Sequence, residues 1–221
     1  MERIARTETL MEQAYKAIKA SIINNEVVPG DYLTEEKIAS QLGISRTPIR
    51  EALKKLAFEG LVEVKKGSKA RVSSVSPENA HDFLLVRERL ESMAAGLACT
   101  LATEEDVKEL RRLSDMQRTS IDEQNFHKFI DLDYAFHSYI ADISGNKKLK
   151  EFIENLNSQI QRFLILTSTL SDSAIGAVEE HYHVIDAIEN NDPKEAEQAM
   201  ETHIQQVTRR IINHKGEEVK R

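Results

Sequence analysis

EEKIASQLGISRTPIREALKKLAFEGL, residues 35–61, decides the fold. It reads as two short helices around a tight turn. Ile38, Ala39 and Leu42 give the first helix an apolar face, Gly43 supplies the turn, and Ile44, Ile49, Leu53 and Leu56 anchor the second. The second helix opens with Ser45-Arg46-Thr47-Pro48-Ile49-Arg50. Arg46, Arg50 and Lys54 recur at i, i+4 and i+8, so one exposed face carries three cations. That layout is a helix-turn-helix, whose second helix presents its first turns to DNA.

The residues that follow extend the motif. Leu61 to Val64 and Ala70 to Ser73 flank the basic tip Lys65-Lys66-Gly67-Ser68-Lys69. Alternation of Val62, Val64, Ala70 and Val72 predicts a β-hairpin turning at Gly67. A hairpin placed there is a wing, and Lys65, Lys66 and Lys69 would reach phosphates or a minor groove. A small helical packing module with a solvated hairpin would share the apolar pattern. It would not require the turn, the cation stripe and the wing to be spaced for DNA.

Charge distribution agrees. The chain of 221 residues carries a net charge of -7, which alone argues against a nucleic-acid partner. Glu36 to Arg71, however, holds nine cations against four acids, a net +5, leaving -12 on the rest. A basic head on an acidic body steers one face to DNA. The single cysteine, Cys99, precludes an intrachain disulfide and fits a reducing cytoplasm. MERIARTETLMEQAYKAIKAS has no apolar segment of the kind a signal peptide needs, and no run approaches membrane-spanning length. A cytoplasmic protein without membrane attachment is expected.

Residues 8–25 are expected to form a first helix with Leu10, Ala14, Ile18 and Ile22 inward, ended by Val28-Pro29-Gly30-Asp31. The expected domains are a winged helix-turn-helix over 1–73, a linker over 74–78 and an all-α domain over 79–221. Helices are predicted near 77–102, 104–122, 123–143, 147–170, 174–190 and 193–214, with no strand pattern among them. Ser76-Pro77, the box Thr103-Glu104-Glu105-Asp106, the stop Ser144-Gly145-Asn146 and the start Asp192-Pro193 punctuate them. The fold class is therefore mainly α, with a small β-hairpin wing and a C-terminal antiparallel helical bundle.

Within that bundle, ionisable residues occupy apolar seams. One helix reads Phe126, Ile130, Asp133, His137, Ile140; a second Ala174, Val178, His181, Ile185, Ile188; a third Ala196, Met200, His203, Val207. The turn at Asn191-Asp192 places His181 and His203 at matching levels of a helical hairpin. One Asp and three His in a bundle core suit a divalent transition metal such as Zn²⁺, Ni²⁺ or Mn²⁺. A single His on an apolar face is more often a hydrogen-bonded core residue; four such residues on three helices are harder to explain that way. Arg87 falls on the seam Phe83, Arg87, Leu90, Ala94, Leu97, Leu101 and needs an anion there: Glu91 or the carboxylate of a bound ligand. Asn155, Gln159 and Arg162 form a polar strip that either lines the same pocket or faces solvent, solvent being the expectation.

PGDYLTEEKIASQLGISRTPIREALKKLAFEGLVEVKKGSKARV resembles the DNA-binding domain of the GntR family of bacterial transcription regulators. The resemblance implies operator contacts from Ser45, Arg46, Thr47 and Arg50, and from the wing tip at Lys66 and Gly67. Glu36 departs from members with arginine at that position, and an acid cannot pair with phosphate. Asp133-Tyr134-Ala135-Phe136-His137, Gly145-Asn146, Glu180-His181 and Met200-Glu201-Thr202-His203 resemble the FCD ligand-binding domain of the FadR subfamily. This second resemblance implies metal ligation by Asp133, His137, His181 and His203, with open metal positions for a small carboxylate effector.

The expected function is an effector-controlled transcription regulator, not an enzyme. A homodimer would present two recognition helices to a pseudo-palindromic operator. Arg87 would bind the effector. Two other readings are a sensor whose signal is the metal itself, and a metallohydrolase with a DNA-targeting head. The last lacks a placed general base, since Glu180 points about 100° away from its neighbour His181.

Overall fold

In the computed structural model, residues 8–64, 68–74, 76–167 and 174–218 are described, the side chains of 77–78 and 212–218 excepted. The chain divides into two compact units between residues 75 and 76.

In the first unit, α1 (Leu10–Ile23) starts at Thr9, which forms a capping box with Glu12. Ala14, Ile18 and Ile22 are buried as their spacing predicts, but Leu10, in the first turn, is exposed. Helices α2 (Glu35–Leu42) and α3 (Arg46–Phe58) flank Gly43, whose φ of 66° closes the turn in a left-handed conformation. Ile38, Ala39, Ile49, Leu53 and Leu56 are buried, whereas Ile44 is partly buried and Leu42 exposed.

The wing pairs β2 (Val62–Glu63) with β3 (Ala70–Val72) antiparallel, Val62 opposite Val72. A further strand, β1 (Tyr32–Leu33), pairs with the other edge of β3, giving the order β1-β3-β2. Two residues carry no periodicity, so this strand was not expected from the sequence. Val62, Ala70 and Val72 face the core, while Val64 is exposed. The predicted wing-tip residues Lys65, Lys66 and Gly67 lie outside the described residues.

The second unit, as described, is entirely helical: α4 (Pro77–Leu101), α5 (Glu104–Asp122), α6 (Phe126–Ile143), α7 (Lys147–Thr167), α8 (Ala174–Glu189) and α9 (Pro193–Glu218). Helix α4 packs against α9, α7, α6 and α8, and α5 packs against α6 and α8. Ser76 accepts a hydrogen bond from the Asn79 amide, and Pro77 follows as the first helical residue. Thr103 and Asp106 form the expected capping box. Helix α6 begins three residues later than 123 because Gln124 has a left-handed φ of 56° and Asn125 takes the cap. Helix α9 extends to Glu218 rather than 214.

The seam of α4 is rotated from the one expected. Leu84, Arg87, Glu91, Ala94, Ala95, Ala98 and Cys99 are buried, while Phe83, Leu90 and Leu97 are only partly covered and Leu101 is exposed. A buried ion pair occupies the stripe, so apolar spacing alone misplaces it. The polar strip of α7 is likewise corrected: Gln159 and Arg162 are buried rather than solvated.

Candidate functional site

Helix α3 presents its cations on an exposed face. Ser45, Arg46, Thr47, Arg50 and Lys54 are all exposed, while Ile49, Ala52, Leu53 and Leu56 pin the opposite face. Ser45 is the N-cap residue yet makes no side-chain capping bond. Lys54 pairs with Glu51 at 2.9 Å. Arg46 and Arg50 pair with Glu36 and Glu35 from the start of α2.

A second site lies inside the helical unit. Helix α6 brings Asp133 and His137 inward one turn apart, α8 brings His181 and α9 brings His203. The three imidazoles are buried, and their candidate donor atoms lie within 4.8 Å of one another. His181 Nε2 is 3.3 Å from His203 Nε2. Asp133 Oδ1 lies 3.6 Å from His181 Nε2 and 3.8 Å from His137 Nε2. Donors about 2.1 Å from a tetrahedral centre sit about 3.4 Å apart, so these spacings bracket the value a metal requires.

Two of the imidazoles are hydrogen-bonded from behind, and the third has a carboxylate there. His137 Nδ1 lies 2.7 Å from Glu91 Oε2. His181 Nδ1 lies 2.9 Å from Gln117 Oε1, and His203 Nδ1 lies 2.9 Å from Glu180 Oε2. At His181 and His203 the outer acceptors place the proton on Nδ1 and leave the Nε2 lone pair facing inward. Burial lowers the pKa of His181 well below the ordinary value, and neighbouring His203 and His137 add to the shift. Burial also lowers that of His203, against the opposing pull of Glu180. Imidazoles held toward the neutral form at His181 and His203, beside the Asp133 carboxylate, make an electron-rich pocket that fits a cation. Both ring nitrogens of His137 are buried without a hydrogen bond, and Nε2, which faces Asp133, has the environment of a ligand atom lacking its acceptor.

Glu91 also joins this centre to Arg87. One oxygen faces His137 and the other accepts from Arg87 Nε at 2.9 Å, both residues being 2% exposed. The sequence alternative of Glu91 as partner of Arg87 is therefore realised. Burial works to raise the Glu91 pKa, but Arg87 and His137 outweigh it and hold the carboxylate ionised. Arg87 still lines a narrow cavity with Asp133, Ile130, Tyr134, Asn157 and Leu164. The Asn157 side chain is buried there, with neither amide atom hydrogen-bonded.

Sequence reasoning missed Glu91, Gln117 and Glu180 as supports, and Asn157 as a cavity residue. Glu180 does point away from the centre on its own helix, but it reaches His203 on the next and pairs with Arg210. The only available signal was polarity within apolar seams, which Glu91 and Gln117 both show.

A family model described as "Bacterial regulatory proteins, gntR family" matches residues 10–72, and one described as "FCD domain" matches 82–206. The chain is 31% identical over 226 residues to the Uxu operon regulator of Haemophilus influenzae, spanning 94% of this chain and 83% of that protein. It is 24% identical over 205 residues to the HTH-type transcriptional repressor RspR of Escherichia coli, covering 93% and 90%. The solved structure of E. coli McbR/YncC superposes with a TM-score of 0.80 at 23% identity, covering 94% of this chain and 99% of that one.

Proposed function

The chain belongs to the gntR family of bacterial regulatory proteins and carries an FCD domain, and from that premise we propose that its DNA binding is controlled by a carboxylate metabolite bound at a metal centre. It is a transcription regulator rather than an enzyme. Asp133, His137, His181 and His203 would hold a divalent transition metal, Zn²⁺, Ni²⁺ or Mn²⁺. One observation carries this reading: three buried imidazoles bring candidate donor atoms within 4.8 Å of one another, Asp133 lies beside two of them, and His181 and His203 are each oriented by an outer acceptor. A core packed only for stability would not need both of those rings turned the same way.

The bound metal would supply a Lewis-acidic position for a ligand oxygen. The chain's own groups do the rest. Arg87, fixed by Glu91, offers the remainder of its guanidinium to the ligand anion, and Asn157 offers an amide that can both donate and accept. The cavity they share with Ile130 and Leu164 has a volume of about 10 Å³, room for about one water, so its walls would have to part to admit a carboxylate. Ser45, Arg46, Thr47, Arg50, Lys54, Lys66 and Gly67 would contact double-stranded operator DNA, two copies of the chain engaging a pseudo-palindrome. Among the described residues no helix is long and apolar enough to cross a membrane.

Elemental analysis of the purified protein, beside the His137/His181/His203 triple alanine variant, tests the centre. Stoichiometric metal in the first and none in the second is expected. Metal retained by the triple variant would show that the ligands lie elsewhere.

A further inference from the structure

The recognition helix does not present its arginines bare. Arg50 donates Nε and Nη2 to the two oxygens of Glu35, each at 2.8 Å. Arg46 Nη2 lies 3.0 Å from Glu36 Oε1. Both acids sit in the first turn of α2, where the helix dipole favours them, and both arginines sit at the start of α3. Exposed ion pairs stabilise folds little, so stability is a poor reason for two of them side by side.

The geometry of the first pair is specific. A guanidinium has two hydrogen-bonding edges, and Glu35 occupies the Nε–Nη2 edge of Arg50. The Nη1–Nη2 end remains, and that end can meet O6 and N7 of a guanine in the major groove. A bidentate partner also removes side-chain freedom before DNA arrives. The second pair has a different character. Glu36 makes a single contact and its side chain is 78% exposed. A carboxylate so placed is repelled by a DNA backbone unless Arg46 stands between them.

We propose that Glu35 and Glu36 are specificity-determining positioning residues. Glu35 sets Arg50 for end-on reading of one guanine. Glu36 penalises every register in which Arg46 is not itself engaged by DNA. The inference rests on the reading that the α3 arginines meet DNA.

Selection of binding sites from a randomised duplex pool tests it, using the full chain and the variants Glu35→Ala, Glu35→Gln and Glu36→Gln, each first checked by thermal melting. The wild type yields a consensus. Glu35→Ala flattens the preference at one G·C position and leaves the others. Glu35→Gln, whose amide oxygen can still accept from Arg50, recovers part of that preference, and it carries the test alone should the alanine variant not fold. Glu36→Gln keeps the consensus but raises affinity for unselected duplex about three- to tenfold, with a narrower specific-to-nonspecific ratio. An unchanged consensus in both Glu35 variants overturns the first role. An equal change of specific and nonspecific affinity in Glu36→Gln, in either direction, overturns the second. A wild type that selects no consensus overturns the DNA-reading assignment itself.

Discussion

At the residue scale, the buried histidine cluster makes predictions about protons. His181 and His203 both titrate below the ordinary histidine value of about 6.5, chiefly through burial. The unfolded chain therefore binds more protons than the folded chain just below that value. Stability then rises with pH in this window and falls as pH drops below about 6.5, by up to about 1.4 kcal/mol per unit for each group. Denaturant melts of chelator-treated protein at pH 7 and pH 5 should show the loss, and an unchanged midpoint would contradict it. Glu91 yields a second prediction. Glu91→Ala leaves the buried Arg87 guanidinium without its carboxylate and His137 without its support. Removing one partner of a buried pair costs about 3–5 kcal/mol, and removing an outer partner lowers metal affinity about 10- to 100-fold. Melting and metal titration of that variant check the two effects separately. On the DNA face, Arg46→Ala and Arg50→Ala should each weaken operator binding by about 1–3 kcal/mol, measured on the selected consensus duplex. Wild-type affinity in the double variant would end the assignment.

At the scale of elements, legibility followed how cleanly each helix separates inside from outside. The seams of α6 and α8 could be read because apolar and solvated residues alternate at helical spacing. His137 and His181 interrupt those seams in plain view. Helix α4 was read one step out of phase for a physical reason. It is covered on several sides, its buried stripe contains Arg87 and Glu91, and Leu85, Val86 and Met93 face outward. Apolar periodicity cannot locate a stripe whose centre is an ion pair. Strand β1 escaped because a two-residue strand is defined by its partner β3, not by its own pattern. The turn between α2 and α3 was legible from one residue, and it can be tested there. A Cβ built on Gly43 meets nothing within 4 Å, so Gly43→Ala carries no steric clash. Its cost is the left-handed backbone alone, about 1 kcal/mol. Denaturation of the variant should show a loss of that size. A much larger loss would mean that the turn is held by packing instead.

At the scale of the whole molecule, the charge of the centre decides what can bind it. A divalent ion held, as proposed, by three neutral imidazoles and one Asp would leave the site with a net positive charge. Glu91 balances Arg87, yet the cavity still places the guanidinium beside Asp133 and the unbonded amide of Asn157. A small organic acid meets each of these needs. In the proposed arrangement Arg87 would face a carboxylate oxygen of the ligand, Asn157 would take a further polar group, and the bound metal would supply a Lewis-acidic position. Binding should therefore require the metal and should alter DNA affinity, since a ligand shifts an equilibrium only through differential affinity for its two states. Calorimetry with a panel of mono- and dicarboxylates, on metal-loaded and chelator-treated protein, is the measurement. Heat is expected only from the loaded form, and the active acid should change operator affinity in a DNA titration. Arg87→Ala should weaken that response while retaining stoichiometric metal, which separates ligand recognition from metal ligation. Equal binding to loaded and metal-free protein would reject the arrangement, as would an uncharged sugar or nucleoside proving to be the molecule that shifts DNA binding. A DNA response to metal alone, with no acid able to change it, would instead make the metal the signal.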